Sequence, residues 1–168
     1  MKCVHHHIGS IADNTIEKNP IGCGECEMTQ VKVKTRPTGA TAALARMGQP
    51  TLVTPTGGRL DVTTSASDAG FNPIDLLYSS LAACMVLSAR IAASKLGILD
   101  RFENVTAEVS GEKAKTEPSR IEIFHIALDI KGDFNDEERQ AIGHMAEDIC
   151  TVSNTLRGSV EFTLTVKA

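Results

Sequence analysis

The 168 residues of this chain predict an α+β fold in which antiparallel strands pack around one long buried helix. Three patterns carry that reading. Strand-like runs arrive in groups instead of alternating with helices, which argues against a doubly wound parallel sheet. A segment from residue 73 to about 96 has helical spacing and is apolar or small on nearly every side. The chain finishes on Val160, Phe162, Leu164 and Val166, an alternation that marks a strand with one covered face.

Taken in order, the first strand signal is Val31 and Val33 with Lys32 between them. Further short strands are expected over residues 40–45, 51–54 and 60–62, punctuated by Pro37, Gly39, Gly48, Pro50, Gly57 and Gly58. Asn72 then stands at an N-cap, Pro73 at the first helical position and Asp75 at the acid position of a capping box, so a helix opens here and Gly97 stops it. Leu77, Leu81, Cys84, Ser88 and Ile91 recur along one face of this helix. Leu76, Ala82, Ala83, Met85, Val86 and Leu87 make the rest apolar too, more than one small subunit covers. Residues 105–110 and 121–130 read as two strands of a hairpin joined by the polar stretch 111–120. Asn135 followed by Asp136, Glu137 and Glu138 opens a second helix with the stripe Ile142, Met145, Ala146 and Ile149. Cys150 falls at its end, and residues 151–158 form a turn or short helix.

A net charge of −4, with one Tyr, five Phe and no Trp, gives neither the basic field nor the stacking surface of a nucleic-acid-binding protein. The start, Met1-Lys2-Cys3-Val4 and then His5, His6 and His7, lacks the apolar stretch of a secretory signal, which makes the cytoplasm the default location. The longest uncharged run, residues 76–89, is shorter than the about 20 residues of a membrane span. No membrane partner is expected. Five cysteines (Cys3, Cys23, Cys26, Cys84 and Cys150) are an odd number, and in a reducing compartment they indicate redox or metal chemistry more than a disulfide framework. Residues 1–28 show no sustained period and are read as an N-terminal extension to a domain over 29–168. Cys3, His5, His6, His7, Cys23 and Cys26 are zinc-ligand types, but a lone C-x-x-C is half a zinc ribbon, and no metal is assigned.

A cysteine inside an apolar helix is by itself usually an inert small hydrophobe. Cys150 changes that balance for Cys84, because a helix end packed against the long helix brings two thiols together. The stretches Asn72-Pro73-Ile74-Asp75-Leu76-Leu77, Leu81-Ala82-Ala83-Cys84 and Cys150-Thr151-Val152-Ser153-Asn154 resemble the two cysteine motifs of the OsmC and organic-hydroperoxide-resistance family, in order and in spacing. The resemblance covers about residues 30–168. It implies an intertwined homodimer with sites near the subunit interface, and thiol-dependent reduction of organic hydroperoxides without metal or organic cofactor, recharged by a dithiol reductant. Cys84 matches the peroxidatic cysteine and Cys150 the resolving one. In the family's hydroperoxidase branches a Glu directly follows the Asn-Pro pair; that position here is Ile74. Asp75 is the nearest carboxylate, a candidate catalytic acid and equally a helix-capping one. The same branches bring an Arg from the early strands to the thiolate, since a nearby cation lowers a thiol's pKa. Arg36, Arg46 and Arg59 lie in that region, and Arg36, beside Pro37-Thr38-Gly39, is the choice. Tyr78, Leu81 and Met85 around Cys84 favour an organic tail on the peroxide. The alternative is a non-enzymatic OsmC-like protein that binds an apolar small molecule between subunits or senses oxidants through the same two thiols.

Overall fold

Three short strands open the described part of the chain: β1 (Thr41–Ala43), β2 (Thr51–Val53) and β3 (Arg59–Asp61). A long helix α1 (Pro73–Lys95) and a 3-10 turn (Leu99–Arg101) come next, then a hairpin of β4 (Phe102–Lys113) and β5 (Ile121–Gly132), and the helices α2 (Asp136–Ile149) and α3 (Thr151–Arg157). The structure, a computed structural model, describes residues 37–65 and 67–167. The expected strand at Val31 and Val33, the boundary near residue 28, the Cys and His residues of the extension, and Arg36 lie outside those residues.

The start of α1 is fixed by three neighbouring side chains. Asn72 Oδ1 accepts from the backbone N–H groups of Ile74 at 2.8 Å and Asp75 at 2.9 Å, and Asp75 Oδ2 accepts from Asn72 N–H at 3.1 Å. Reciprocal capping of this kind satisfies donors that the first turn leaves orphaned, and Pro73 has no N–H to orphan. At the other end Gly97 has φ +73°, a left-handed conformation that glycine adopts without a Cβ penalty and that ends the helix.

One face of α1 is the spine of the core. Leu81, Met85, Ser88, Ala89, Ala92 and Ala93 are buried. The apolar members of that set cluster with Ile130 of β5, Phe134, Ile142 and Ala146 of α2, and Cys150. The run of alanines lets neighbouring elements approach the helix axis closely. The antiparallel hairpin supplies the opposite wall: Val105 faces Ile130, Ala107 faces Leu128 and Val109 faces Ile126, while the alternate pairs such as Ser110 with His125 turn outward, as the period of two requires. Arg101 ties the start of the hairpin to the start of α2. Its guanidinium donates to the Asp133 carbonyl at 2.8 Å and to both oxygens of Glu138 at 3.0 and 2.6 Å.

The other face of α1 stays uncovered in the single chain: Ile74, Leu87 and Ile91 are exposed. The helix is long and apolar enough to cross a bilayer by length and composition, with a mean hydropathy of 1.6 in its most apolar stretch, and 33% of that stretch is buried. Its packing on a polar-faced hairpin and on α2 is that of a core helix with one side left open.

Two differences from the sequence reading have physical causes. The hairpin strands extend beyond residues 105–110 and 121–130 because ladder bonding continues through Glu112 and Lys113, where hydrophobic alternation has faded. Val160, Phe162, Leu164 and Val166, expected as a last strand, belong to neither sheet and are 52%, 91%, 90% and 86% exposed. Alternation specifies which face a strand would bury, but a strand exists through its ladder with a neighbour, and among the described residues these have none.

Ile142 is fully buried where α2 meets α1. Ile142→Ala should therefore cost about 2–5 kcal/mol in urea unfolding, from lost burial plus a cavity, against about 1 kcal/mol for Asn72→Ala, which removes only a cap. Equal losses for the two variants would contradict this placement of the core.

Candidate functional site

Cys84 and Cys150 are both free thiols, the first half-buried and the second with no exposed surface. Cys84 rides on α1 between Leu81 and Ser88. Cys150 stands at the break between α2 and α3, with φ −71° and ψ 104°, an extended conformation that ends one helix and begins the next. Its sulfur accepts the Ser153 N–H at 3.4 Å, in the position where a Ser or Asp side-chain oxygen ordinarily caps a helix.

That break decides what reaches Cys84. The first N–H groups of a helix have no partner inside it, and those of Thr151 and Val152, with the Ser88 hydroxyl and the Cys150 thiol, are the groups that lower the Cys84 pKa. Three elements thus meet around Cys84: α1 contributes Cys84 and Ser88, the end of α2 contributes Cys150, and the start of α3 contributes backbone donors.

The two thiols are driven apart electrostatically. Burial pushes Cys84 up, but hydrogen bonds from Cys150, the Val152 N–H, Ser88 and the Thr151 N–H outweigh it and hold this thiol below its ordinary range. Cys150 is raised by burial first, then by its hydrogen bond to Cys84 and by the charge that Cys84 carries, against smaller opposing effects of the Ser153 and Val152 N–H groups. The pair holds one proton over an interval of pH, with the charge on Cys84 and the proton on Cys150.

The remaining expected residues fall elsewhere. Asp75 completes the capping box and lies about two and a half helical turns, about 13 Å along the axis, before Cys84; it is not among the groups that act on either thiol. Arg46 and Arg59 are exposed, and neither is among the leading causes of the Cys84 shift. Leu81 and Met85 are core residues at 2% exposure, and Tyr78 meets Phe124 edge-on with ring centres 5.9 Å apart. His125 pairs with Glu112 at 2.8 Å on the outer hairpin face. Arg157, in the last turn of α3, pairs with Glu147. Among the described residues no group of three or more His, Cys, Asp or Glu is placed to hold a metal ion.

Ser88 and the two α3 amides are the functional groups that sequence reasoning did not assign. A polar residue one turn after Cys84 in an apolar helix was the visible sign of the first. The amides carry no side-chain signature. Two grooves run along β5, one of about 400 Å³ lined by residues including Met85, Ile130, Arg139 and His144, the other of about 310 Å³ lined by residues including Leu81, Phe124, Ser153 and Arg157. Neither is lined by Cys84 or Cys150, so the chemistry is located by the thiols and not by these clefts.

Comparison with known proteins bears on this arrangement. The sequence profile described as OsmC-like protein matches residues 65–165, more than half of the chain. An uncharacterised protein of Haloferax volcanii is 26% identical over 110 residues, 65% of this chain and 81% of that one. The crystal structure of an OsmC-like protein from Mycoplasma pneumoniae superposes with a TM-score of 0.65 at 19% identity, over 74% of this chain and 90% of that chain. An organic hydroperoxide resistance protein from Elizabethkingia anophelis gives a TM-score of 0.60 at 25% identity, over 77% of this chain and 94% of the other.

The opposed shifts of the thiols have a direct readout, because alkylation tracks the thiolate and not the thiol. Cys84 should be alkylated well ahead of Cys150, with a rate that levels off at lower pH than for a free cysteine. Cys150 should stay slow until higher pH, both from its raised pKa and from its burial. Peptide-resolved mass spectrometry after timed iodoacetamide exposure across pH measures both; faster labelling of Cys150 would contradict the assignment.

Proposed function

The chain belongs to the OsmC-like protein family, and from that premise we propose that it is a thiol-dependent peroxidase that reduces organic hydroperoxides through Cys84 and Cys150. One observation carries the reading: a half-buried thiol with a lowered pKa packs against the buried cluster that holds a second thiol with a raised one. Two-thiol peroxide chemistry needs that asymmetry, an accessible anion to attack and a protected partner that acts afterwards.

In this mechanism the Cys84 thiolate attacks the outer peroxide oxygen. The S–O bond forms as the O–O bond breaks, and sulfur is oxidised to the sulfenic acid while the peroxide is reduced. The departing alkoxide leaves as the alcohol by taking the proton that Cys150 held. Cys150, now a thiolate, attacks the Cys84 sulfur, forms the disulfide and expels hydroxide, which leaves as water after protonation. An external dithiol returns both cysteines to thiols by exchange, which suits a reducing, cytoplasmic setting. Similarity to an organic hydroperoxide resistance protein supports an organic peroxide as substrate. Arg36 is the arginine assigned to approach the thiolate in this reading, and Asp75 acts through the helix start that it caps.

The working unit in this proposal is a homodimer. Three observations support it: the exposed Leu87 and Ile91 on α1, the exposed Leu44, Met47 and Val53 around the three-residue strands, and the open C-terminal run. A sheet of such short strands needs packing against another layer to be stable, and an apolar helix face of this kind is normally covered. Sedimentation at micromolar concentration should give a dimer, and Leu87→Asp combined with Ile91→Asp should weaken it; a monomeric parent chain would count against the assembly.

A second reading has its own observation. Ile74 stands where the family's hydroperoxidases carry Glu, and the groups that chiefly lower the Cys84 pKa are hydrogen-bond donors, not cations. A stoichiometric oxidant sensor needs neither. Peroxide consumption with a dithiol present separates the two, since an enzyme turns over many equivalents and a sensor stops after one. Within the enzyme reading, Cys84→Ser should abolish consumption, whereas Cys150→Ser should still consume one equivalent and then over-oxidise at Cys84 for want of a disulfide partner. Full turnover in the Cys84→Ser chain would remove Cys84 from the reaction.

A further inference from the structure

A dithiol that recharges the pair has to break the disulfide by attacking one of its two sulfurs, and the structure distinguishes them. Cys150 has no exposed surface and belongs to the core cluster with Leu81, Ile142 and Ala146. It stands at the junction of α2 and α3, where its sulfur accepts the Ser153 N–H at 3.4 Å. Ser153 is itself buried, so that donor is shielded from water as well. Cys84 is half-buried and packs against the cluster without joining its buried set. Ser80, one helical turn before it, and its neighbour Ala83 are exposed. Access and leaving-group strength pull in opposite directions here. The thiol with the lower pKa is the better leaving group, which taken alone favours attack on Cys150 with Cys84 expelled. A better leaving group only scales the rate of an attack that can occur, whereas a nucleophile reaches a sulfur with no exposed surface only by opening the core. Access therefore decides.

We propose that the reductant attacks the Cys84 sulfur, so that Cys84 carries the mixed disulfide and Cys150 is the sulfur expelled. One thiolate of the dithiol bonds to the Cys84 sulfur as the disulfide between Cys84 and Cys150 breaks, and the electron pair of the broken bond leaves on Cys150. The Ser153 N–H, already aimed at that sulfur, stabilises the charge that develops there. Cys150 then takes the proton that the second thiol of the reductant gives up. The thiolate so formed attacks the reductant's own sulfur in the mixed disulfide and expels Cys84 as a thiolate. At this step Cys84 is the leaving group, and its lowered pKa assists departure. The dithiol is oxidised to a disulfide and the protein is reduced by the same two electrons. The cycle closes with the charge on Cys84 and the proton on Cys150, the arrangement from which the next hydroperoxide is attacked.

The proposal rests on the two-thiol peroxidase reading for its purpose, but its test forms the disulfide without peroxide. The full chain is oxidised with diamide, exposed to cysteamine and quenched in acid at the earliest times, which protonates the thiolates and stops exchange. Cysteamine is a monothiol, so it makes the first attack and lacks the second thiol that would release it. Peptic digestion at low pH and mass spectrometry then locate the adduct. It should be found on the Cys84 peptide in at least about tenfold excess over the Cys150 peptide, with Cys150 recovered as a free thiol. An adduct mainly on Cys150, or equal amounts on the two, overturns the proposal and leaves the thiol pair itself intact. If diamide gives no crosslink between Cys84 and Cys150, the pairing behind the peroxidase reading fails and the proposal with it. A crosslink and the expected adduct, in a chain that leaves hydroperoxide unconsumed with a dithiol present, uphold the direction of exchange and remove the peroxidase reading alone.

Discussion

The close approach of α1 to the junction between α2 and α3 is the constraint on which the rest depends. Ala89, Ala92 and Ala93 on one side and Ile142 and Ala146 on the other have no exposed surface and share one cluster. The alanines leave room for Ile142 and Cys150 against α1. The break at Cys150 starts a new helix, and the Val152 and Thr151 N–H groups at that start join Cys150 and Ser88 in lowering the Cys84 pKa. Core packing and thiol chemistry are therefore one arrangement seen at two scales.

The asymmetry of the thiols arises chiefly from burial and hydrogen bonding. Cys84 gains donors faster than burial penalises it, while Cys150 is buried completely and itself acts as a donor. An inert pair of core cysteines would both be raised by desolvation. Cys84 packs against the buried cluster that contains Cys150.

The legible part of the sequence was the part written in local chemistry. Asn72, Pro73 and Asp75 specify the start of α1 within four positions, and Gly97 specifies its end; each acts through its own backbone or an immediate neighbour. The cysteines were legible as motifs, and their approach was expected from a helix end packed against the long helix; what the sequence did not show is how α1 packs on α2. The amides of Thr151 and Val152 have no side-chain identity to read. The alternation from Val160 to Val166 is not matched by a strand among the described residues, because pairing needs an edge that periodicity does not describe. Asp75 had two equal readings in the sequence, and its hydrogen bonds engage it in the capping box.

What remains open on the surface of the single chain, Leu87 and Ile91 on α1 and the small sheet around Val53, is separate from the side chains that hold the thiols together. The thiol pair is thus complete within one chain, whatever covers those surfaces. The most direct test of that claim is a non-reducing peptide map of the full chain after one equivalent of an organic hydroperoxide. The account predicts a single new crosslink joining the Cys84 and Cys150 peptides of the same chain; a crosslink confined to Cys23 and Cys26, with Cys84 and Cys150 still alkylatable, would contradict it.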